Sequence, residues 1–353
     1  MRRNPSYMSL FSSALALVLL LGGCAGGGGG GAGGPEGGST PPGKLQPITI
    51  AQFGHLFLYL PLYVAIDKGF FKDEGLEVKL VSTGGDEKTF AAVSSGNAQF
   101  GVSDPTFAAI ARERGQGGKV VAQVVNGVPF WGVTFRKDLK PIKKVEDLKG
   151  LRIATFTAPS TSYTVMKKVL QNQGKPVDAK IVQGAPTGSI VAMAKANQAD
   201  IAMELEPSAS IAVGQGATIV WSLQKQFGDF AITGLTVTDA YREKNGDTIQ
   251  RVVNALSRAM QFIRNDFQGT LSIAHQEFPE VDEKILSAAL KRMLDENTIP
   301  KSPVLSPTAW DRAIKLRQET GDIKGDGAYK DNVDMTFANQ VRPHPEDQIH
   351  HDK

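Results

Sequence analysis

Residues 61–78 read PLYVAIDKGFFKDEGLEV, and the order of residue types in this stretch sets the fold. Pro61 falls near the first turn of a predicted helix over 59–68, where its missing N–H costs little. Gly69 stands where a left-handed residue would stop that helix. Phe70 and Phe71 follow at the stop, placed to pack the helix end on a sheet. Asp73-Glu74-Gly75 turns the chain, and residues 76–81 alternate as a half-buried strand. With Ile48-Thr49-Ile50-Ala51 ahead of it as a short strand, the stretch belongs to a β-α-turn-β unit.

The same rhythm continues along the chain. A helix is predicted over 86–95 and a strand over 98–103; a further helix opens at Asp104-Pro105, with Asp104 as its N-cap. Residues 119–125 read as a strand. From Asp147 the pattern restarts: strand 151–156, helix 160–171, strand 179–182, helix 187–196, strand 201–203, then strands 217–221 and 231–237. Beyond Thr238 nearly everything reads as helix, with amphipathic runs at 239–266, 282–295 and 306–319. Strand–helix alternation argues for parallel sheets covered by helices. The restart near 140 argues for two lobes, with the helical tail packing back on one of them. A cleft is then expected between lobes, at the C-terminal ends of the strands.

The N-terminus has the features of an export signal. Arg2 and Arg3 precede an apolar run, residues 15–21, too short to span a bilayer comfortably. The run ends in Leu21-Gly22-Gly23-Cys24, which resembles the lipobox of bacterial lipoproteins. Cys24, the one cysteine of the chain, is the expected lipidation site, with 1–23 as the signal peptide. Residues 24–45 are mostly glycine and form a tether that cannot bury apolar surface. The mature body therefore has no disulfide, thiol nucleophile or cysteine-based metal site. The whole chain carries 39 basic and 36 acidic residues, which gives no reason to expect nucleic-acid binding. No serine-hydrolase, zinc-protease or Walker signature is present, and neither a cofactor nor a metal is expected. His344, His350 and His351 belong to a polar tail, set at 336–353.

Four blocks carry a resemblance to a known family. They are PLYVAIDKGFFKDEGLEVKL at 61–80, SSGNAQFGVSDP at 94–105, VEDLKGLRIATFTAPSTSY at 145–163 and ADIAMELEP at 199–207. Together they resemble the solute-binding proteins of ABC importers, in the branch for nitrate, alkanesulfonate, taurine and thiamine-pyrimidine precursors. The resemblance spans roughly residues 48–325. It implies an α/β fold of the periplasmic-binding-protein type (type II), two lobes joined by crossover strands that act as a hinge. Lobe 1 is set at 46–132 plus 238–335 and lobe 2 at 133–237, with crossovers near residues 131–136 and 233–237. The implied partners are a small-molecule ligand, an ABC permease with its ATPase, and the membrane through the lipid anchor. A monomer is expected, exported and facing the periplasm or cell exterior. A pyrimidine synthase of the same fold depends on a cysteine-rich motif that this body lacks. A sensor or scaffold lipoprotein is the alternative.

The candidate ligand groups lie in the expected cleft loops. The residues after the first strand supply Phe53, His55, Phe57 and Tyr59, an aromatic and partly polar face that would stack on a flat ligand or serve as core. Ser103 and Asp104 end another strand; Asp104 is a helix cap that would keep one oxygen for a donor or cation. Thr157, Ser160, Thr161 and Ser162 open a helix, and their hydroxyls and free N–H groups form either an anion cradle or a plain N-cap. The family resemblance favours the cradle. Trp131 is a wall or hinge packing. Glu204 is preferred to Glu206, whose Glu-Pro turn is structural in the family. Arg136 and Arg152 are the cations nearest these loops. The combination points to an organic acid or sulfonate with an aromatic or aliphatic body.

Overall fold

The computed structural model describes residues 44–171, 174–185 and 188–341. The expected signal segment, Cys24, nearly all of the tether and the three tail histidines lie outside them. Among the described residues, strands β1 (Gln46–Gln52), β2 (Leu76–Ser82), β3 (Phe100–Ser103), β4 (Gly118–Asn126) and β10 (Ala231–Thr238) form one sheet in the order β2-β1-β3-β10-β4. Strands β5 (Trp131–Thr134), β6 (Arg152–Phe156), β7 (Lys180–Gly184), β8 (Ile201–Glu204) and β9 (Thr218–Ser222) form the other, in the order β7-β6-β8-β5-β9. The orders match position for position. In each sheet the first three strands are parallel, and the fourth runs antiparallel to both of its neighbours.

That antiparallel strand is where the purely parallel expectation fails. β5 enters the second sheet directly from the first, and β10 returns the other way after the short helix Leu223–Phe227, so neither is joined to its sheet by a crossover from a parallel neighbour. The joins between the halves are residues 127–130 and 223–230. The expected division put 233–237 in the second lobe, but β10 pairs with β3 and β4 of the first sheet. The two joins are bonded to each other: Leu223 N–H donates to the Phe130 carbonyl and Gly127 N–H to that of Phe230, both at 3.0 Å. Gly127 has φ +80°, and a Cβ there would run into the Gln224 side chain. Only glycine fits that turn.

The quoted stretch folds as read, with one refinement. Leu60–Asp67 is a helix, and Gly69 takes φ 77°. Phe70–Asp73 then makes a further helical turn that buries both phenylalanines. The helix Gly246–Asn265 buries Ile249, Val252, Val253, Leu256, Met260 and Ile263, the spacing of an apolar face. It covers the helix Leu60–Asp67 and β4. The exposed edge of β4 is closed by Val333, which bridges to Val120. Residues 336–341 do not start a free tail: Thr336–Asn339 is a short helix, and the Phe337 carbonyl accepts from Gln250. Among the described residues no helix is long and apolar enough to cross a membrane.

The C-terminal helices pack on both halves, not on one. Glu283–Asp295 lies against the second-half helix Ser208–Gly214, and Pro307–Thr320 lies against both Thr161–Gln171 and β10. The first of these contacts is fixed by charge. The fully buried Glu206 carboxylate accepts from Arg292 Nε at 2.6 Å and from the Ser210 N–H and hydroxyl, each at 3.0 Å. Arg292→Ala leaves that carboxylate buried without its counter-charge, at a cost of about 3–5 kcal/mol. The expected outcome is a clear fall in the urea midpoint of the body, with Lys291→Ala on the exposed neighbouring position leaving it unchanged.

Candidate functional site

A parallel strand aims its C-terminal carbonyl end, and the loop that follows, at one edge of its sheet. Here those edges face each other. The loops after β1, β2 and β3, the loops after β6 and β8, the join at 127–130 and the start of β10 line a cavity of about 340 Å3. Its walls are largely apolar: Phe53, Leu56, Leu58, Phe107 and the β10 residue Ile232 from the first half, Phe156 and Leu205 from the second, and Phe130 from the join at 127–130. Phe130 and Phe156 meet edge to face at 5.7 Å across the boundary. Polar groups reach the cavity from Tyr59, Asp86, Asp104, Thr157, Ser160, Thr161 and Thr233.

The first loop is held by polar bonds behind its aromatic face. Tyr63, from the quoted helix, accepts from the Leu56 N–H at 3.0 Å and donates to Gln52 Oε1 at 3.1 Å. The Phe53 N–H donates to the Val102 carbonyl at 3.3 Å, and the Phe53 carbonyl accepts from Gly84 at 2.8 Å. Phe53 and Tyr59 thereby face the cavity. His55 and Phe57 do not line it. His55 stacks on Tyr63 and Phe278 at 4.6 Å, with Nε2 3.3 Å from Glu277 Oε2. Phe57 is buried against Phe278 at 5.4 Å.

Asp104 borders the cavity, but all its acceptor positions are taken. Oδ1 accepts from the Thr106 N–H at 2.9 Å and the Thr106 hydroxyl at 2.6 Å. Oδ2 accepts from the Thr161 hydroxyl at 2.9 Å and from Arg317 Nη2 at 2.8 Å. Both members of this ion pair are buried, Arg317 at 2% side-chain exposure and Asp104 at 4%. The oxygen expected to be free for a ligand is instead bonded to the second half. Arg317 also donates to Thr106, to Asp322 and, at 3.4 Å, to the Pro159 carbonyl.

The hydroxyls at 160–162 are likewise largely occupied by the protein. Ser162 is fully buried, and its Oγ accepts from the Phe156 N–H at 3.1 Å, so it does not line the cavity. Thr161 donates to Asp104. Ser160 caps the Tyr163 N–H at 3.4 Å and, with Thr157, keeps a face on the cavity. Ser103, Trp131 and Glu204 are buried and do not line it. Trp131 is hinge packing: its Nε1 donates to Glu296 Oε2 at 2.9 Å, where the Ser222 hydroxyl also binds, at 2.6 Å. Glu204 accepts from the N–H groups of Leu205 and Gly188, yet burial still pushes its carboxyl up to about 7. Arg136 and Arg152 both pair with Asp200, away from the cavity.

The group missing from the sequence reading is Asp86. It opens the helix Asp86–Ser94 after Gly84-Gly85, and all three line the cavity. Asp86 Oδ1 accepts from the Asp104 N–H at 2.9 Å. Burial first, and then the neighbouring Asp104 carboxylate, push its carboxyl up to about 7. Burial and the Asp86 charge also hold the Tyr59 phenol well above its ordinary range. The signal was available: a short polar residue opens a helix just after a strand, as at Asp104 and Ser160, here behind the glycine pair Gly84-Gly85. The aromatic walls Phe107, Phe130 and Phe156 carried no such mark.

Two predictions follow from these contacts. Thr161→Val removes a hydrogen bond to a charged group, worth about 1.5–3 kcal/mol, from the contact between halves. The body has no cysteine, so spin labels on Lys72→Cys and Lys149→Cys can report the spacing between halves. The variant is expected to populate the longer distance at least about tenfold more than the wild type. For Asp86 and Glu204 the folded-state pKa lies above the unfolded one, so the native state binds more protons. Their contribution to stability is complete below the ordinary carboxylate range and is lost as pH rises toward about 7. An Asp86→Asn/Glu204→Gln variant, compared with the wild type by urea unfolding, should gain relative stability steadily over that window.

Comparisons with known proteins agree with this geometry. The family model described as NMT1/THI5 like matches residues 57–268. YtlA of Bacillus subtilis (strain 168), named only provisionally as a binding protein, is 23% identical over 303 residues, covering 84% of this chain and 90% of that protein. The alkanesulfonate-binding protein SsuA from Xanthomonas axonopodis pv. citri, solved bound to MOPS, superposes with a TM-score of 0.65 at 18% identity, over 82% of this chain and 98% of that one. The periplasmic nitrate-binding protein NrtA from Synechocystis PCC 6803 gives 0.58 at 15% identity, over 81% and 92%. At these identities the likeness to the two structures is one of fold.

Proposed function

The chain belongs to the NMT1/THI5-like family, and from that premise we propose that it is the solute-binding component of an ABC importer, capturing a small organic solute outside the cytoplasmic membrane. The observation that carries this reading is the cavity itself. Its volume, about 340 Å3, is that of a small-molecule site, and both halves and the join at 127–130 contribute walls. A ligand touching both halves stabilises the closed arrangement over an open one, which is a population shift and requires no chemistry. We treat the two sheets with their helices as the lobes of that motion and the joins at 127–130 and 223–230 as its hinge.

The remaining parts of the proposal come from the sequence. Cys24 carries a lipid, residues 25–45 tether the body, and the closed monomer is recognised by a permease that works with an ATPase. The sulfonate- and nitrate-binding relatives bring an anionic head group into consideration, and Ser160 and Thr157 are the hydroxyls left to meet one. The apolar walls suit an organic body better than a bare inorganic ion. A sensor or scaffold role would use the same site, and no separate observation favours it.

The test is a thermal-shift screen of residues 45–353 against sulfonates, carboxylates, nitrate and amines. A ligand at 100 times its Kd adds about 2.7 kcal/mol, a readily measured rise in Tm. Ile232→Trp, which places an indole in the cavity, is expected to fold and to lose that rise. Equal shifts in the variant and the wild type would place binding elsewhere.

A further inference from the structure

The cavity holds one carboxyl, Asp86, that makes no ion pair of its own; the nearest cation acting on it, Arg317, is already bonded to Asp104. Asp104 is neutralised by Arg317 at 2.8 Å, but Asp86 has only the Asp104 N–H on Oδ1. No hydrogen bond or ion pair from the protein reaches its other oxygen among the described residues. The groups that face Asp86 are few. Asp104 lies beside it on the loop after β3, with Arg317 behind. Tyr59 stands across from it with a neutral phenol. Glu87 and Lys88 lie at the rim on its own helix, both exposed and opposite in sign. Around them the walls are phenylalanine, leucine and isoleucine.

A half-buried carboxyl among apolar walls, with no basic partner, is electrostatically incomplete. A basic nitrogen supplies both what it lacks: a positive charge and N–H donors for the free oxygen. An acidic head group at the same point would add a like charge to the Asp86–Asp104 pair.

We propose that Asp86 is the recognition point for a basic nitrogen, and that the solute is an organic amine or amidine whose apolar or aromatic body fills the phenylalanine-lined cavity. This rests on the solute-binding reading above and deepens it. The carboxyl that titrates near neutrality in the empty site ionises when the cation arrives, so binding releases a proton. For an amine that stays protonated throughout, affinity then follows the ionised fraction of Asp86 and rises about tenfold between roughly pH 6 and pH 8.

The experiment uses matched compounds on one body: 2-phenylethylamine, benzamidine, 3-phenylpropanoate, 2-phenylethanesulfonate and 3-amino-3-phenylpropanoate. Each is titrated calorimetrically into residues 45–353, in buffers of differing ionisation enthalpy, against wild type, Asp86→Asn and the control Glu204→Gln. Asparagine keeps the oxygen that accepts from Asp104, so the helix start is preserved. The expected result is binding of nitrogen-bearing compounds with proton release, weakened at least tenfold in Asp86→Asn and unchanged in Glu204→Gln. Binding of the acids alone, or nitrogen binding indifferent to Asp86→Asn, would overturn the assignment while leaving the cavity as the solute site. If no compound binds either here or in the wider screen, the assignment falls together with the solute-binding reading.

Discussion

The ion pair between Asp104 and Arg317 is the contact on which the arrangement of this protein turns. A buried pair of charges gains little net stability, because desolvation offsets most of the Coulomb attraction. What it fixes is geometry. The carboxylate has four donors, and the guanidinium reaches Thr106, Asp322 and the Pro159 carbonyl as well as Asp104. Three remote segments are thereby joined: the loop after β3, the loop after β6 and a C-terminal helix. Moving the second half away gives up the Thr161 hydroxyl on Asp104 and the Pro159 carbonyl on Arg317, and water has to replace them.

That contact also divides the work of the cavity. With Asp104 and Thr161 engaged between the halves, the groups left facing the cavity are apolar walls from both halves, Ser160 and Thr157 on one side and Asp86 on the other. The side chains that bond one half to the other and those left free in the cavity are therefore different, although they are neighbours. The mutual hydrogen bonds of the joins, and the Glu296 carboxylate that holds Trp131 and Ser222, tie the chain together where it passes between the halves.

Most of the fold could be read along the chain, because strand–helix alternation and glycine stops are local signals. The β-α-turn-β unit at 48–81, the restart near 147 and the helical C-terminal region all appear where the pattern placed them. The errors were of pairing, which is non-local: β5 and β10 run antiparallel, β10 belongs to the first sheet, and the last helices touch both halves. Nothing in a strand's own residues states which neighbour it will find. At the site, position in the cleft loops was legible for Phe53, Tyr59, Asp104, Thr157, Ser160 and Thr161. What they bond to was not. Asp104 looked like a cap with a spare oxygen because Arg317, more than 200 residues away, gives no sign of its partner. Trp131 and Ser162 sit at the right height in the chain but turn inward to Glu296 and Phe156.

The central claim is that a single ligand touches both halves at this cavity. Amide hydrogen exchange, measured with and without the compound that most raises the melting temperature, tests it directly. Added protection is expected at residues 84–88 in the first half and at 157–161 in the second, appearing together as the ligand saturates. Protection confined to one half, or appearing instead in the groove around residues 142–146 and 219–226, would contradict it.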